Sequence, residues 1–218
     1  MKYLITGGAG FIGSNIVEEL LKRGEIVKVL DNFSTGQRSN LAEFINHPNL
    51  HIIEGDVRSF HIVRKAFQDV DYVLHQGALS SVPRSINDPI TSNEVNIHGT
   101  LNILEAAKEF NIKRVVFAGS SSVYGENPTL PKDESLALAP VSPYGITKYA
   151  AERYFQVYHK IFELETVVLG YFNVFGPKQD PMSEYSAVIP KFIKLIMNDQ
   201  EPVIYGDGLQ TRPFCFID

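Results

Sequence analysis

Cysteine is nearly absent from this 218-residue chain: Cys215 stands alone, so no disulfide within the chain can brace the fold, and a stapled mini-scaffold is excluded. No uncharged apolar run approaches the roughly 20 residues that span a bilayer. Residues 1–10 turn glycine-rich too early for a signal peptide. Basic excess is missing as well. Lys and Arg number 20 against 25 Asp and Glu, a formal charge of −5, which removes the uniform positive field that nucleic acid or an anionic membrane surface calls for. Any anion this protein binds must be gripped locally. The six histidines show no metal-ligand spacing, so no metal centre is expected. The composition, 44% hydrophobic, excludes disorder. A domain of this length buries roughly 70% of the surface that its unfolded chain exposes. A reduced, cytoplasmic setting is expected.

Short β-branched runs alternate with longer segments of helical period. Strands are expected at 3–6, 26–31, 51–54, 72–75, 114–119 and 166–171, with helices at 11–23, 59–68, 91–110 and 143–162. Strands apolar on both faces and separated by helices imply a parallel sheet covered on both sides, joined by right-handed crossovers: a doubly wound α/β fold. Two long loops, 32–49 and the proline-rich 126–142, follow strand C-termini, the edge at which such sheets bind ligands. After residue 171 the alternation loosens. Residues 172–184 read as irregular, 185–198 as a helix, and 214–217 as a strand whose pattern breaks off, which suggests a fragment. Cys215 is expected as a small buried residue of that strand.

The first expected strand runs into Thr6-Gly7-Gly8-Ala9-Gly10-Phe11-Ile12-Gly13 and then a helix. Glycines permit the tight turn and the close approach of backbone to a pyrophosphate, which would sit on the N–H groups of the helix N-terminus. A glycine fingerprint alone is weak evidence. Here Asp31 ends the second strand, where a carboxylate accepts hydrogen bonds from a ribose 2′-OH and repels a 2′-phosphate, so NAD is expected over NADP. A second constellation is Tyr144 and Lys148, four residues apart and hence on one helix face. An ammonium beside a phenol favours the phenolate and lowers its pKa, as a base acting on a sugar hydroxyl requires. Chance alone would supply roughly 0.6 such pairs in a chain with this many Tyr and Lys. Context comes from the preceding strand, which runs into Ser120-Ser121-Ser122 and can present a hydroxyl to the same substrate oxygen.

Together these residues resemble the extended short-chain dehydrogenase/reductase family, and within it the nucleotide-sugar 4-epimerases. The motifs that carry the resemblance are TGGAGFIG, DNFSTG at 31–36, GDV at 55–57, HQGA at 75–78, NIHGT around Asn96, SSSVYG at 120–125, SPYGITK at 142–148 and YFNVFGP at 171–177. The resemblance implies a Rossmann-type NAD-binding domain over 1–171 and the beginning of a smaller substrate-binding region over 172–218. It implies NAD contacts from Gly7, Gly10, Phe11, Ile12, Gly13, Asp31, Asn32, Ser34, Thr35 and Gly36. Further contacts are implied from Asp56 and Val57 by the adenine, from Gln76, Gly77, Ala78 and Asn96, from Tyr144 and Lys148, and from Phe172 by the nicotinamide. Ser120, Tyr144 and Lys148 take the catalytic roles. Ser81, Ser121, Ser122, Asn173 and Arg212 are implied as substrate contacts, the last two to its diphosphate. The run 80–85 looks most like epimerases of UDP-N-acetylhexosamines, and the family's helix pairing implies a homodimer.

Three departures from the family pattern stand out: Gly77 in place of a common alanine, Gly170 where a basic residue is usual, and Pro213 where an acidic residue commonly follows the arginine. The expected function is NAD-dependent 4-epimerisation of a UDP-hexose or UDP-N-acetylhexosamine. A 4,6-dehydratase or decarboxylase on the same scaffold is the nearest rival. The family's dehydratases carry an Asp-Glu pair where Ser121 and Ser122 stand here, which counts against elimination. A non-catalytic NAD-binding module is the alternative of a different class.

Overall fold

The computed structural model describes residues 1–180, 188–204 and 206–218. The β-branched runs become β1 (Lys2–Thr6), β2 (Ile26–Asp31), β3 (Leu50–Glu54), β4 (Tyr72–His75), β5 (Arg114–Ser120) and β6 (Thr166–Tyr171). They form one sheet in the order β3-β2-β1-β4-β5-β6, with every neighbouring pair parallel. Parallel neighbours cannot be joined by hairpins, so each connection must cross a face of the sheet. The helices are α1 (Phe11–Lys22), α2 (Phe60–Phe67), α3 (Val82–Asn87), α4 (Pro89–Asn93), α5 (Gly99–Glu109) and α6 (Pro143–Phe162). The strand order reverses between β1 and β4, as in doubly wound dinucleotide-binding sheets.

Side chains alternate across the sheet and divide the core in two. Leu4, Leu30, Val73, Val115 and Phe117 point to the face that α2, α5 and α6 cover, where they meet Val63, Phe67, Ile103 and Phe155. Ile5, Val27 and Val29 point to the other, against Val17 and Leu21 of α1 and Leu41 of the 3₁₀ helix Arg38–Phe44. Over β6 this second face is open: Leu169 is 42% exposed.

α6 begins where its sequence dictates. The Ser142 hydroxyl accepts the Gly145 N–H at 3.1 Å, Pro143 occupies the first turn, and the helix ends at Glu163 with φ 57°. Its buried residues Tyr144, Thr147, Lys148, Ala151, Phe155 and Tyr158 form one stripe at helical spacing.

Several expectations are corrected. The helix expected over 91–110 is interrupted by a π turn, Glu94–His98, between α4 and α5. The Thr100 hydroxyl donates to the Asn96 carbonyl there at 2.6 Å, a local bond that periodicity does not encode. The segment read as irregular contains β7 (Asn173–Phe175), which pairs in parallel with β8 (Phe214–Phe216) and gains its partner only from a distant part of the chain. The first residues of the helix expected at 185–198 lie outside the described residues, and the remainder is α7 (Val188–Met197). Cys215 does lie in a strand but is exposed, because no described residue covers its face of the two-stranded sheet. None of the helices is long and apolar enough to cross a membrane among the described residues.

Phe67 is fully buried on α2, with its ring 6.2 Å from that of Phe110. Truncation to alanine leaves a cavity in rigidly packed surroundings, so Phe67→Ala should lower stability by about 3–5 kcal/mol in urea unfolding. A loss below about 1 kcal/mol would contradict this placement of the core.

Candidate active site

The reversal of strand order leaves a crevice at the C-terminal edge of the sheet, and a cleft of about 700 Å³ occupies it. The loop after β1 reaches the cleft through Gly7, at φ +66°, whose N–H donates to the Leu30 carbonyl at 2.9 Å. A Cβ on Gly13 would lie 2.2 Å from the Gly7 carbonyl oxygen, so only glycine lets α1 pack this close to the turn. The N-cap of α1 is Gly10, with no side-chain cap, and the first turn faces the cleft through Phe11, Ile12 and Gly13. Uncapped N–H groups at a helix start are a ready site for an anion.

Asp31 stands at the far end of that loop. Its Oδ2 accepts the Ala9 N–H at 2.9 Å and its Oδ1 the Phe33 N–H at 2.8 Å. A carboxylate offers about four acceptor positions, so two remain for a ribose diol. Beyond it, Arg58 donates from Nε and Nη2 to the two oxygens of Asp56 at 3.0 and 2.8 Å, and from Nη1 to Glu94 at 3.1 Å. This guanidinium, with Asn32 donating to Oδ2 at 2.9 Å, holds the Asp56 carboxyl down to about 2.

At the opposite end β5 delivers Ser120 and α6 delivers Tyr144 and Lys148, all three lining the cleft. The Ser120 hydroxyl shares a 2.9 Å bond with that of Ser122 and sits close enough to the Tyr144 phenol to lower its pKa. Tyr144 is fixed from outside its own helix, its N–H donating to Ser85 Oγ at 3.0 Å. The expected lowering of the Tyr144 pKa by Lys148 is not what this geometry produces. Burial pushes the phenol up, and Ser120 offsets only part of that. Lys148 Nζ donates instead to the Ala118 carbonyl at 2.9 Å and lies 4.6 Å from the centre of the Phe117 ring. Its own burial brings it down to about 7, so the ammonium loses its proton near neutrality.

The fold of the cleft walls fits a dinucleotide. Gln76 leaves Oε1 buried with no partner in the wall of the cleft. The model of the NAD dependent epimerase/dehydratase family matches residues 3–218. The chain belongs to that family. It is 47% identical to the solved UDP-N-acetylglucosamine 4-epimerase from Methanobrevibacter ruminantium M1, with a TM-score of 0.95, covering 99% of this chain and 69% of that one. It is 34% identical over 220 residues to the UDP-glucose 4-epimerase of Mycolicibacterium smegmatis, covering 100% of this chain and 70% of the relative. The dTDP-glucose 4,6-dehydratase from Streptomyces venezuelae, solved with NAD bound, is 32% identical with a TM-score of 0.92, covering 100% and 68%.

In this family member the cleft gathers most of the residues expected from sequence. Gly7, Gly10, Asp31, Asn32, Ser34, Thr35, Gly36, Asp56, Val57, Gln76, Gly77, Ala78, Ser81, Phe172 and Asn173 all line it. Four do not. Asn96, expected to touch the cofactor, is buried behind the wall, where Oδ1 accepts the Leu79 N–H at 2.8 Å and Nδ2 donates to Thr147 Oγ1 at 3.0 Å. Ser121 and Ser122 lie in the 3₁₀ turn beyond Ser120, outside the lining. Arg212 is exposed and outside it too, donating to the neighbouring Thr211 carbonyl at 2.9 Å, while Asn173 donates to the Pro213 carbonyl at 3.0 Å. Sequence reasoning missed Arg58, two residues past Asp56, and the contribution of the 177–180 segment. There Lys178 bridges to Glu18 at 2.7 Å and Gln37 donates to Asp180 at 3.0 Å, across the cleft mouth. Only the chain's return past α1 brings these together. Among the described residues no cluster suits a metal ion.

An acid-labile group lies buried behind the cleft. Burial, with the Lys148 charge adding to it, lowers His75 to about 3. The folded chain therefore keeps His75 neutral while the unfolded chain binds a proton below about pH 6.5. Stability should fall as pH drops from about 6.5 toward 3, by up to ~1.4 kcal/mol per unit from this group alone. Asp56 acts in the same direction lower down, since its stabilisation is present above its unfolded value near 3.8 and lost toward 2. Urea unfolding between pH 7 and pH 4 should show a shallower pH slope in His75→Gln than in the unmodified protein; equal slopes would contradict a buried neutral His75.

Proposed function

We propose that the chain catalyses NAD-dependent 4-epimerisation of a UDP-hexose or UDP-N-acetylhexosamine through a 4-keto sugar. One observation carries the reading: Ser120, Tyr144 and Lys148 meet at one end of a cleft whose other end is the glycine turn and Asp31. NAD, when bound, supplies the acceptor and later the donor of the C4 hydride. Tyr144, as phenolate once its own proton has passed to the neutral Lys148 amine, takes the proton from the sugar 4-OH and returns it after the keto sugar has presented its other face. Ser120 holds the same oxygen. Lys148, poised near neutrality, balances the phenolate charge as it forms and offers its ammonium to the nicotinamide ribose. Gly7, Gly10 and the start of α1 hold the pyrophosphate, Asp31 the adenosine ribose, and Asp56 with Val57 the adenine. Residues 172–218, through Asn173, begin the substrate-binding region.

Elimination of water is disfavoured by the site's composition. The carboxylates in the cleft lining are Asp31, Asp56 and Asp180, and Asp31 and Asp56 lie at the adenosine end while Asp180 is tied to Gln37. No acid and base pair flanks Ser120 among the lining residues, as a 4,6-dehydratase would need. The exposed apolar residues Ile146, Val157 and Ile161 of α6 support a homodimer across that helix. Low cysteine content supports a cytoplasmic setting.

Asp31→Ala should narrow the preference for NAD over NADP in calorimetric titration of both nucleotides. Equal affinity of the unmodified protein for the two would remove Asp31 from ribose recognition. Tyr144→Phe should lower kcat for interconversion of UDP-N-acetylglucosamine and its 4-epimer by about 10²- to 10⁴-fold, the range a positioned general base contributes. An unchanged kcat in a coupled assay would take Tyr144 out of the reaction.

A further inference from the structure

Behind the cleft, and lining no part of it, a buried polar chain crosses the sheet. Thr6, His75 and Thr100 are all at most 1% exposed. The Gly77 N–H donates to Thr6 Oγ1 at 3.1 Å, and Thr6 Oγ1 lies 2.6 Å from His75 Nδ1. On the other side His75 Nε2 lies 2.9 Å from Thr100 Oγ1, which donates to the Asn96 carbonyl at 2.6 Å. From Asn96 the bonds continue to both backbone groups of Leu79 and to Thr147, whose hydroxyl donates to the Tyr144 carbonyl at 2.8 Å.

The direction of every proton in this chain follows from its ends. Gly77 N–H can only donate and the Asn96 carbonyl can only accept. Thr100 spends its single proton on Asn96, so it must accept from His75, and the ring proton sits on Nε2. Nδ1 is then an acceptor, so Thr6 donates its own proton to it while accepting from Gly77. A neutral ring with one N–H satisfies all of this at once; an imidazolium would make Thr6 accept both N–H groups and take away the acceptor for its own proton. The charge that acts on His75 is that of Lys148, and Phe117 lies against both groups, its ring 5.6 Å from that of His75 and 4.6 Å from Lys148 Nζ.

We propose that His75, fixed as its neutral Nε2–H tautomer, is a positioning residue that locks the turn at Gly77 to the π turn at Asn96 and, through Asn96 and Thr147, to the start of the Tyr144 helix. One ring proton thus sets the register between the cofactor end and the reacting end of the site. The proposal rests on the cleft holding NAD and on the proposed role of Tyr144, but its test needs neither turnover nor a sugar.

Two measurements on the full chain decide it. NMR of the ¹⁵N-histidine-labelled protein should show His75 with Nε2 protonated and Nδ1 bare throughout about pH 5 to pH 9. An Nδ1–H tautomer, or an imidazolium in that range, overturns the proposal. NAD affinity is then measured by calorimetry for Thr6→Val, Thr100→Val and the double variant, which keep side-chain shape while removing hydroxyls outside the cleft. Thr100→Val should weaken NAD binding about fivefold through His75, Thr100→Ser should restore it, and the double variant should depart from additivity by about fivefold. In a His75→Phe background Thr100→Val should have no further effect. NAD affinity indifferent to Thr100→Val, or strictly additive losses, would overturn it. Should a variant fail to fold, the tautomer measurement on the unmodified chain still decides; an enzyme with another substrate leaves both readouts unchanged.

Discussion

The loops leaving β1 and β4 meet at Gly7 and Gly77, so closely that a Cβ on Gly7 would lie 2.7 Å from the Gly77 Cα. That contact is the constraint on which the rest of the site depends. Strand order reverses at this point, α1 departs over one face and the β4 connection over the other, and the space between them is the cleft. Any side chain at Gly7 would force the two loops apart and widen the crevice where a pyrophosphate must be gripped by backbone alone. In a chain of net charge −5, anion binding has to come from such local backbone geometry.

The same economy governs the reacting end. Tyr144 and Lys148 are both buried, and burial works against charge on either: it raises the phenol and lowers the ammonium. The neutral pair and the phenolate–ammonium pair carry the same total charge, and these opposed shifts favour the neutral pair. Lys148 is meanwhile held by the Ala118 carbonyl, which anchors it to the strand that presents Ser120. Under the proposed chemistry, base activation would therefore depend on what binds beside the pair as well as on the pair itself.

The three departures from the family pattern acquire distinct physical meanings. A Cβ on Gly77 would lie 3.1 Å from Thr6 Oγ1, so glycine there gives that hydroxyl room to bond both the Gly77 N–H and His75. Gly170 has no atom within 4 Å of where a side chain would begin, so the loss of a basic residue there leaves open space rather than a strained one. Pro213 offers only a carbonyl, and Asn173 uses it. That bond ties β7 to the segment entering β8 beside the cleft.

Local chemistry made much of this protein legible from sequence. Strands such as 26–31 and 166–171 and the helix at 143–162 match the structure because their signals are short-range: β-branched runs, a serine cap, a proline in the first turn, a glycine turn ahead of a carboxylate. That Ser120, Tyr144, Lys148 and Asp31 would share one cleft was legible for the same reason, each marked by its neighbours. The tertiary structure alone decided where Asn96 points, that Lys148 binds a carbonyl, that Arg58 clamps Asp56, and that β7 finds β8. It also decided that His75 joins Thr6 to Thr100, partners 69 and 25 residues away. Those contacts depend on which strands become neighbours across a crossover, and a burial-driven choice of that kind leaves no periodic trace in the chain that makes it.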